Sequence, residues 1–288
     1  MPSEDQVILI TGCSTGLGRS LAEESLARGL RVIATARRLS AIEDLRDKGA
    51  RVFTLDVTDK PDALKSFADE AINAFGQVDI LVNNAGWLLG GAIEETTPEE
   101  IQSQFNTNFF SVINVTNAFM PHFRSRRTGT IVNISSQGSY IAVSGAGIYC
   151  ASKAALDCLT ETWSKELAPF NIRAVSVILG AFRTSVASSG TKASTNTIEG
   201  YDLAHNSHKI FRERSGHELG DPTKAAQKII ELVTLKTERS LPVRFALGED
   251  AVHLSRKHLE KRIAELDEWK SFGANTNIDG IKYEQADW

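Results

Sequence analysis

The fold is decided by the stretch Val7-Ile8-Leu9-Ile10-Thr11-Gly12-Cys13-Ser14-Thr15-Gly16-Leu17-Gly18. A short apolar run leads into three glycines, and a helical pattern follows that ends at Gly29. This order predicts a strand, a glycine-rich loop and a helix in direct succession. Glycines let a phosphate group approach the backbone, and the first turn of a helix offers it free amides. The spacing differs from the common G-x-G-x-x-G fingerprint, so a merely tight connection stays open as a second interpretation.

The same alternation of apolar runs and helical patterns continues along most of the chain. We predict seven strands, at residues 7–11, 31–36, 51–55, 78–82, 130–135, 172–179 and 243–247. Between them, Ser40 and Glu43 are expected to form a capping box for a short helix, and a long helix is expected from Pro98 to about Met120. The strands are almost continuously apolar, which is typical of strands covered on both faces. The pattern therefore predicts a doubly wound, Rossmann-type α/β fold: a seven-stranded parallel sheet with helices on both faces.

Residues 1–288 are predicted to form a single domain with its core at residues 7–247, and two segments depart from the regular pattern. Residues 184–220 are long and rich in Ser, Thr, Gly and Asn, which favours a functional lid, with a disordered insertion as the alternative. Residues 249–288 are predicted as a charged amphipathic helix followed by a polar tail. The helix residues expected to face inward are Leu254, Leu259, Ile263 and Leu266.

The composition argues against several classes of function. The net charge is −4 and the sequence pI is about 5.9, so no positive field is expected to attract nucleic acid or anionic lipid. Three cysteines leave one unpaired in any disulfide scheme, which suits a reducing compartment. The N-terminus lacks the pattern of a signal peptide, and no apolar run approaches the length of a membrane span. We therefore expect a cytoplasmic protein.

A phenol and an ammonium group lie four residues apart at Tyr149 and Lys153, so they share one face of a predicted helix. A neighbouring cation stabilises phenolate over phenol, so the pKa of Tyr149 is expected to fall from roughly 10 toward neutrality. Such a tyrosine is a usable general acid or base. The pair also occurs by chance on surface helices, so its meaning depends on the other motifs.

Taken together, the glycine loop, Asn83-Asn84-Ala85-Gly86, Ser136 and Tyr149-x-x-x-Lys153 resemble the motifs of the short-chain dehydrogenase/reductase family, in particular its NADP-dependent 17-beta-hydroxysteroid dehydrogenase-like members. The resemblance extends over roughly residues 7–247. It implies an oxidoreductase in which Tyr149 donates a proton to a carbonyl, or removes one from an alcohol. It implies that Lys153 lowers the pKa of Tyr149 and binds the nicotinamide ribose, and that Ser136 orients the substrate oxygen.

By the same resemblance, Asn108 is the fourth catalytic residue: it bends the long helix and supports a proton relay. Ser135 and Asn106 are the neighbours expected to have structural or surface roles. After the sixth strand, Leu179 stands where the family usually has proline, and we expect a looser backbone at that point.

The resemblance further implies NADP(H) as the cofactor. An acidic residue after the second strand would bind the free ribose hydroxyls of NADH, but Ala36 is followed by Arg37 and Arg38. A guanidinium group suits a 2′-phosphate, and we prefer Arg37 for that contact, with two ordinary surface charges as the alternative. The expected cofactor contacts are Gly12, Ser14, Thr15, Gly16, Leu17, Gly18, Arg37, Asp56, Val57, Asn83, Ala85, Gly86, Tyr149, Lys153, Gly180 and Thr184.

The expected substrate pocket comprises Trp87, Leu88, Val143 and Tyr149 and is mostly apolar. It favours a hydrophobic ketone, aldehyde or secondary alcohol, either steroid-like or a natural-product intermediate. The histidines lack ligand spacing, so no metal is expected. The family's habit implies a homo-oligomer formed through the helices before the fifth and sixth strands.

Two rival functions remain open. Gly12-Cys13-Ser14-Thr15-Gly16 also fits the G-x-S-x-G elbow of a serine hydrolase, with Ser14 as the nucleophile, although that fold needs strands before the elbow. The same fold also hosts nucleotide sensors, isomerases and cyclases that bind the cofactor without net hydride transfer.

Overall fold

A computed structural model describes residues 5–234 and 241–274, together with residue 276. The strands in these residues are β1 (Val7–Ile10), β2 (Arg31–Ala36), β3 (Arg51–Thr54), β4 (Ile80–Asn83), β5 (Leu88–Gly90), β6 (Gly129–Ser136), β7 (Ile172–Leu179), β8 (Thr191–Ala193) and β9 (Arg244–Leu247). Seven of them form one sheet in the order β3-β2-β1-β4-β6-β7-β9, and every pairing in it is parallel. The predicted seven-stranded parallel sheet is confirmed.

Helices cover both faces of this sheet. They are α1 (Gly16–Ala27), α2 (Glu43–Asp47), α3 (Pro61–Phe75), α4 (Pro98–Phe105), α5 (Ser111–Arg126), α6 (Gly138–Ile141), α7 (Gly147–Glu166), α8 (Asp202–Glu213), α9 (Pro222–Thr234) and α10 (Glu249–Gly273). Successive side chains of a strand point to opposite faces, so β1 contributes to two cores. Ile8 and Ile10 pack in the core formed with α1 and α9, whereas Val7 and Leu9 pack in the core formed with α3, α5 and α7.

Two helix boundaries differ from the prediction. The capping box of Ser40 and Glu43 is wrong, because residues Leu39–Ala41 form a separate 3-10 turn and α2 begins only at Glu43, after Ile42. Ile42 is fully buried, and the chain turns there to insert it into the core. The long helix from Pro98 continues to Arg126, but it is interrupted by a π-helical turn, Asn106–Phe110, between α4 and α5.

The lid segment, which we define as residues 184–220, is an ordered element. Its strand β8 pairs in parallel with β5, so that Leu88 lies opposite Thr191. Its helix α8 packs Phe211 against a small apolar cluster that contains Leu88 and Tyr149. The lid segment therefore lies over the carboxyl ends of the central strands, where parallel sheets bind their ligands.

The orientation predicted for the C-terminal helix is right for Leu254, which is partly buried, and wrong for the three residues that follow it. Leu259, Ile263 and Leu266 of α10 are 42%, 58% and 69% exposed instead of facing inward. The side chains that α10 buries, Ala251 and Ser255, lie in its first two turns. Beyond them the helix leaves the body of the domain, so its apolar spacing did not indicate what it packs against. The predicted tail, with Tyr283 and Trp288, lies outside the described residues.

In the ranges the structure describes, no helix combines the length and the apolar character that crossing a membrane requires.

Candidate active site

The glycine loop connects β1 to α1 and lies against the end of β4. Gly12 and Gly16 have φ angles of 74° and 58°, in the left-handed region that favours glycine. A Cβ atom on Gly18 would lie 2.4 Å from the carbonyl oxygen of Gly12 and 2.4 Å from Nδ2 of Asn84. The loop therefore has room for glycine alone at position 18, and its backbone is held close to the end of β4.

Asn84 and Thr11 connect the glycine loop to β4. The hydroxyl of Thr11 accepts hydrogen bonds from the amides of Asn84 and Ala85, both at 3.0 Å. Nδ2 of Asn84 donates to the carbonyl oxygens of Thr11 at 2.8 Å and Gly12 at 3.2 Å. Sequence reasoning missed Asn84, although it lies within the Asn-Asn-Ala-Gly motif.

Asn83, which was the predicted contact, has its side chain inside the protein. It is 4% exposed, and its Nδ2 donates to Oγ1 of Thr116 at 3.0 Å and to Oδ1 of Asn133 at 2.9 Å. The side chain of Asn83 therefore links β4 to β6 and α5 inside the protein.

The first turn of α1 fits a phosphate group. Its N-cap residue Thr15 makes no side-chain cap, and no acidic residue lies in the first turn. The hydroxyl of Thr15 instead accepts a hydrogen bond from Ser185 at the start of the lid segment, at 2.9 Å. Amides without a side-chain cap at a helix N-terminus are suited to an anion, and the loop's close backbone approach adds to that fit.

The end of β2 provides positive charge and no acid. Ala36 is buried, and Arg37 and Arg38 are exposed. Across β3, Oδ1 of Asp56 accepts hydrogen bonds from the amide and the hydroxyl of Thr58 at 2.9 and 2.7 Å. Burial acts to raise the pKa of Asp56, but these hydrogen bonds and the charge of Arg37 outweigh it and lower that pKa. The neighbouring Val57 is buried.

Ser136 and Tyr149 meet at the carboxyl end of β6. Oγ of Ser136, the last residue of β6, accepts a hydrogen bond from the amide of Gly138 at 3.1 Å. Burial raises the pKa of Tyr149 to about 12, against the opposing effect of a hydrogen bond with Ser136. The pKa of Tyr149 is therefore raised, whereas the sequence spacing predicted a lowering. Ser135 is buried and takes no part in this arrangement.

Lys153 lies beside Tyr149 but makes its hydrogen bond to β6. Its side chain is 5% exposed, and Nζ donates to the carbonyl oxygen of Ile134 at 2.8 Å. Nζ lies 5.8 Å from the centroid of the Tyr149 ring. Burial lowers the pKa of Lys153 to about 8, partly offset by the charge of Asp157. The pKa expectation for Tyr149 was wrong because burial of the phenol itself dominates.

Asn108 lies in the π turn, where it fixes the chain after the Asn-Ala-Gly motif. It is 1% exposed; Oδ1 accepts from the amide of Trp87 at 3.1 Å, and Nδ2 donates to the carbonyl oxygen of Trp87 at 2.9 Å. A Cβ on Gly86 would lie 3.2 Å from Oδ1 of Asn108 and 3.6 Å from Nζ of Lys153, so these three residues meet. Asn106 is exposed, and the side-chain hydrogen bond found for it among the described residues is to Gln102, as expected of a surface residue.

The predicted substrate residues separate into two groups. Leu88 and Tyr149 lie in one apolar cluster with Ala146, Cys150 and Phe211. Val143 is 40% exposed at the edge of that cluster, and the Trp87 ring lies 4.8 Å below Nζ of Lys192. Phe211 of the lid segment was not predicted as a pocket residue, although it is one of the few large apolar side chains in that polar stretch.

A cavity of about 470 Å³ lies between β5, β8 and α8. It is lined by Gly90, Gly91, Glu95, Ala193, Ser194, Thr197, His205, His208, Lys209, Arg212 and Glu213. Polar lid residues therefore border the apolar cluster around Tyr149.

The turn after β7 is held in place despite the missing proline. Oδ2 of Asp250 accepts a hydrogen bond from the amide of Ala181 at 2.7 Å, and the amide of Gly180 donates to the carbonyl oxygen of Leu247 at 2.9 Å. Thr184 lies beside the glycine loop, with its Cβ 3.3 Å from the position of a Cβ on Gly16. The loosening expected at Leu179 is therefore restrained by α10.

The elbow of a serine hydrolase has no support in the geometry. Ser14 is exposed, and in the described ranges no histidine hydrogen-bonds to it. Those ranges also contain no group of three or more histidine, cysteine, aspartate or glutamate side chains arranged to hold a metal ion.

Comparison with known proteins gives a consistent result. Residues 6–194 match the family profile described as short chain dehydrogenase. The uncharacterised oxidoreductase YusZ of Bacillus subtilis is 34% identical over 256 residues, covering 85% of this chain and 89% of YusZ. A 3-ketodihydrosphingosine reductase of Bacteroides thetaiotaomicron is 38% identical over 181 residues, covering 63% of this chain and 65% of that protein.

Solved structures share the fold over nearly the whole chain. A short-chain dehydrogenase from Streptomyces avermitilis superimposes with a TM-score of 0.87 at 38% identity, covering 96% of this chain and 100% of that one. A short-chain dehydrogenase from Sphingobium yanoikuyae in complex with NADPH has a TM-score of 0.68 at 21% identity, covering 97% and 99%. One from Burkholderia phymatum in complex with NAD has a TM-score of 0.75 at 22% identity, covering 96% and 98%. At these lower identities the likeness extends to the fold alone.

Proposed function

The chain belongs to the short-chain dehydrogenase/reductase family, and from that premise we propose that it is an NADP(H)-dependent ketoreductase or alcohol dehydrogenase acting on an apolar small molecule. One observation carries the proposal. Ser136, Tyr149 and Lys153 lie together at the carboxyl end of β6, beside the Gly86 turn and the glycine loop. Hydride-transfer chemistry needs a proton donor beside the cofactor site, and this arrangement supports that assignment.

The residues suited to the cofactor lie in the turns that follow β1, β2, β3, β4 and β7, and on α7. The uncapped first turn of α1 would hold the pyrophosphate, and Arg37 would hold the 2′-phosphate. Asp56 and Val57 would contact the adenine, while Tyr149, Lys153, Gly180 and Thr184 would contact the nicotinamide end. When bound, the nicotinamide supplies or accepts the hydride.

The protein's own contribution is proton transfer and orientation. In the reductive direction, Ser136 Oγ donates a hydrogen bond to the substrate carbonyl, and Tyr149 Oη gives its proton to the developing alkoxide. The raised pKa of Tyr149, about 12, keeps the phenol protonated at neutral pH, which suits a proton donor. In the oxidative direction Tyr149 must first be deprotonated. The Lys153 ammonium stabilises that phenolate, which then accepts the proton of the alcohol and becomes the phenol again.

The apolar cluster around Tyr149 supports a hydrophobic substrate. Leu88, Ala146, Cys150 and Phe211 surround the phenol without contributing a charge. The polar cavity beside α8 allows a substrate that carries polar groups away from the reacting carbon. The lid segment closes this side, since Glu95 and Glu100 accept hydrogen bonds from the amides of Ile198 and Thr195 at 2.7 and 2.8 Å.

Cofactor choice is tested by fluorescence titration with NADPH and, separately, NADH. A charge-assisted hydrogen bond contributes about 1.5–3 kcal/mol, so NADPH should bind about ten- to a hundredfold more tightly than NADH. Arg37→Ala should remove this preference by weakening NADPH binding alone. Arg38→Ala is the matched control, since it removes the same charge one residue away. Equal affinities in the wild type would refute the proposed specificity, and an effect of Arg38→Ala alone would assign the contact to Arg38.

Substrate class is tested by following NADPH consumption with a panel of carbonyl compounds. We expect turnover of hydrophobic ketones and aldehydes, while turnover of small charged substrates only would contradict the apolar pocket. Product formation without NADPH consumption would indicate an isomerase or cyclase, and cofactor binding with no reaction across the panel would favour a nucleotide sensor.

We also propose that the protein is a cytoplasmic homo-oligomer. Exposed apolar side chains in the described residues, among them Phe110 at 43% and Leu266 at 69%, support association. Light scattering of the purified protein tests this, and a monomer at all concentrations would contradict it.

A further inference from the structure

Asp157 is a buried carboxylate that the chemistry described so far does not use. It lies on α7, four residues after Lys153 and eight after Tyr149, so the three side chains share one face of the helix. It is 0% exposed. Oγ of Ser176, on β7, donates a hydrogen bond to Oδ1 of Asp157 at 2.5 Å.

The other oxygen of the Asp157 carboxylate accepts no hydrogen bond from the described residues. This oxygen, Oδ2, is buried. Burying a carboxylate costs several kcal/mol unless a counter-charge or further hydrogen bonds compensate it. A single hydroxyl is a weak compensation, so this oxygen requires a physical explanation.

Lys153 is a buried side chain that carries the opposite charge. Its ammonium is buried, and the hydrogen bond found for it goes to a neutral carbonyl oxygen, that of Ile134. Burial alone drives such an amine toward its neutral form. A carboxylate one helical turn away supplies the missing opposite charge without a direct contact.

We propose that Asp157 is a positioning residue that acts through Lys153, keeping the buried ammonium charged at neutral pH and thereby setting the proton affinity of the Tyr149–Lys153 pair. The inference rests on the proposed function in one respect, namely that this pair is where the proton is transferred.

Other charged groups near this face do not replace Asp157. On α7, Glu161 lies one turn further from Lys153 and pairs with Arg244 of β9 at 3.2 Å. Arg244 feels the charge of Asp157, but its side chain is 34% exposed and already bound to Glu161. Cys150 adjoins Tyr149 as a buried thiol, and burial raises its pKa. From β7, Asp157 meets the neutral hydroxyl of Ser176.

The sign of the effect follows from the charge. The anion at Asp157 raises the pKa of Lys153 and that of Tyr149, because it favours the more positive form of each. Removing it makes the pair easier to deprotonate. Both titration steps of the pair should therefore move to lower pH.

The test is a direct titration of Lys153 in the cofactor-free protein by nuclear magnetic resonance. The lysine side chains carry carbon-13, and the signal lost in Lys153→Met identifies Lys153. In the wild type the midpoint should lie near pH 8, because the pKa of Lys153 is about 8. In Asp157→Asn, which keeps the shape and an acceptor for Ser176, the midpoint should fall below the wild-type value.

Glu161→Gln is the matched control, because it removes a carboxylate of α7 one turn further from Lys153 and leaves Asp157 with its hydrogen bond from Ser176. Its midpoint should stay at the wild-type value. The proposal is overturned if Asp157→Asn titrates like the wild type, or if Glu161→Gln shifts the midpoint as much as Asp157→Asn does. If Asp157→Asn does not fold, Asp157→Ser and the double variant Asp157→Asn/Ser176→Asp are used; the first should lower the midpoint and the second should restore it.

The same variants are then compared in turnover. The alkaline limb of carbonyl reduction should move to lower pH in Asp157→Asn and should not move in Glu161→Gln. Because the lysine titration needs neither cofactor nor substrate, a protein without turnover would refute the proposed function and still answer whether Asp157 controls Lys153.

Discussion

Replacing Asn108 with alanine should lower the free energy of unfolding by about 2–4 kcal/mol, an amount that follows from its hydrogen bonds. Without Oδ1, the amide of Trp87 loses the acceptor 3.1 Å away. An unsatisfied, partly buried donor costs about 1–3 kcal/mol. Loss of the Nδ2 donor costs only about 1 kcal/mol, because the carbonyl oxygen of Trp87 also accepts from Nε2 of Gln104, at 2.8 Å.

The assay is urea unfolding at neutral pH, followed by tryptophan fluorescence. Asn106→Ala is the matched control: the residue type and the π turn are the same, but Asn106 is exposed, and among the described residues its side chain bonds to Gln102 alone, at 2.7 Å. This variant should change stability by less than about 0.5 kcal/mol. Equal stability of the two variants, or a loss below about 1 kcal/mol for Asn108→Ala, would refute the reasoning that Asn108 holds the Trp87 backbone.

Two further predictions concern the glycine loop and the lid segment. Gly18→Ala should destabilise the protein by about 1–3 kcal/mol in urea unfolding, because its Cβ would lie 2.4 Å from the carbonyl oxygen of Gly12. Gly273→Ala is the control and should leave the stability unchanged, because no atom lies within 4 Å of the position of its Cβ. Equal losses of stability in the two variants would contradict the close approach at Gly18. Glu95 is 1% exposed, and although burial acts to raise its pKa, hydrogen bonds from Ile198, His205 and Ala92 lower it below the ordinary 4.5. Its ionised form therefore stabilises the fold above about pH 4.5, and that contribution is lost as the pH falls through the lowered pKa. The free energy of unfolding, measured at pH 7 and at pH 4, should therefore decrease less in Glu95→Gln than in the wild type.

The sheet was predictable because buried parallel strands leave a strong signal. Each of the seven runs is apolar and bounded by glycine or polar residues, and alternation with helices allows few topologies. The short pair β5–β8 was missed. Its second strand, Thr191–Ala193, is three residues long and has no strand pattern. Its partner lies about a hundred residues earlier, and local sequence carries no information about such a pairing.

The errors at the site have a common physical origin. Spacing placed Tyr149 and Lys153 on one helix face, but it did not indicate that burial of the phenol would raise the pKa of Tyr149. Likewise, the Asn-Asn-Ala-Gly motif did not reveal which asparagine points into the core; burial between β4 and β6 decided that for Asn83. For α10, the spacing of Leu259, Ile263 and Leu266 correctly places them on one side of the helix. Spacing does not indicate, however, what that side packs against.

The central claim is that Tyr149 transfers the proton in an NADP(H)-dependent reaction, and one variant tests it most directly. Tyr149→Phe removes a single hydroxyl and retains the ring that packs against Leu88 and Phe211. With the best carbonyl substrate from the panel, the variant should bind NADPH as tightly as the wild type while its turnover falls by about 10²- to 10⁴-fold, the contribution of a general acid. Turnover within a few-fold of the wild type would contradict the account.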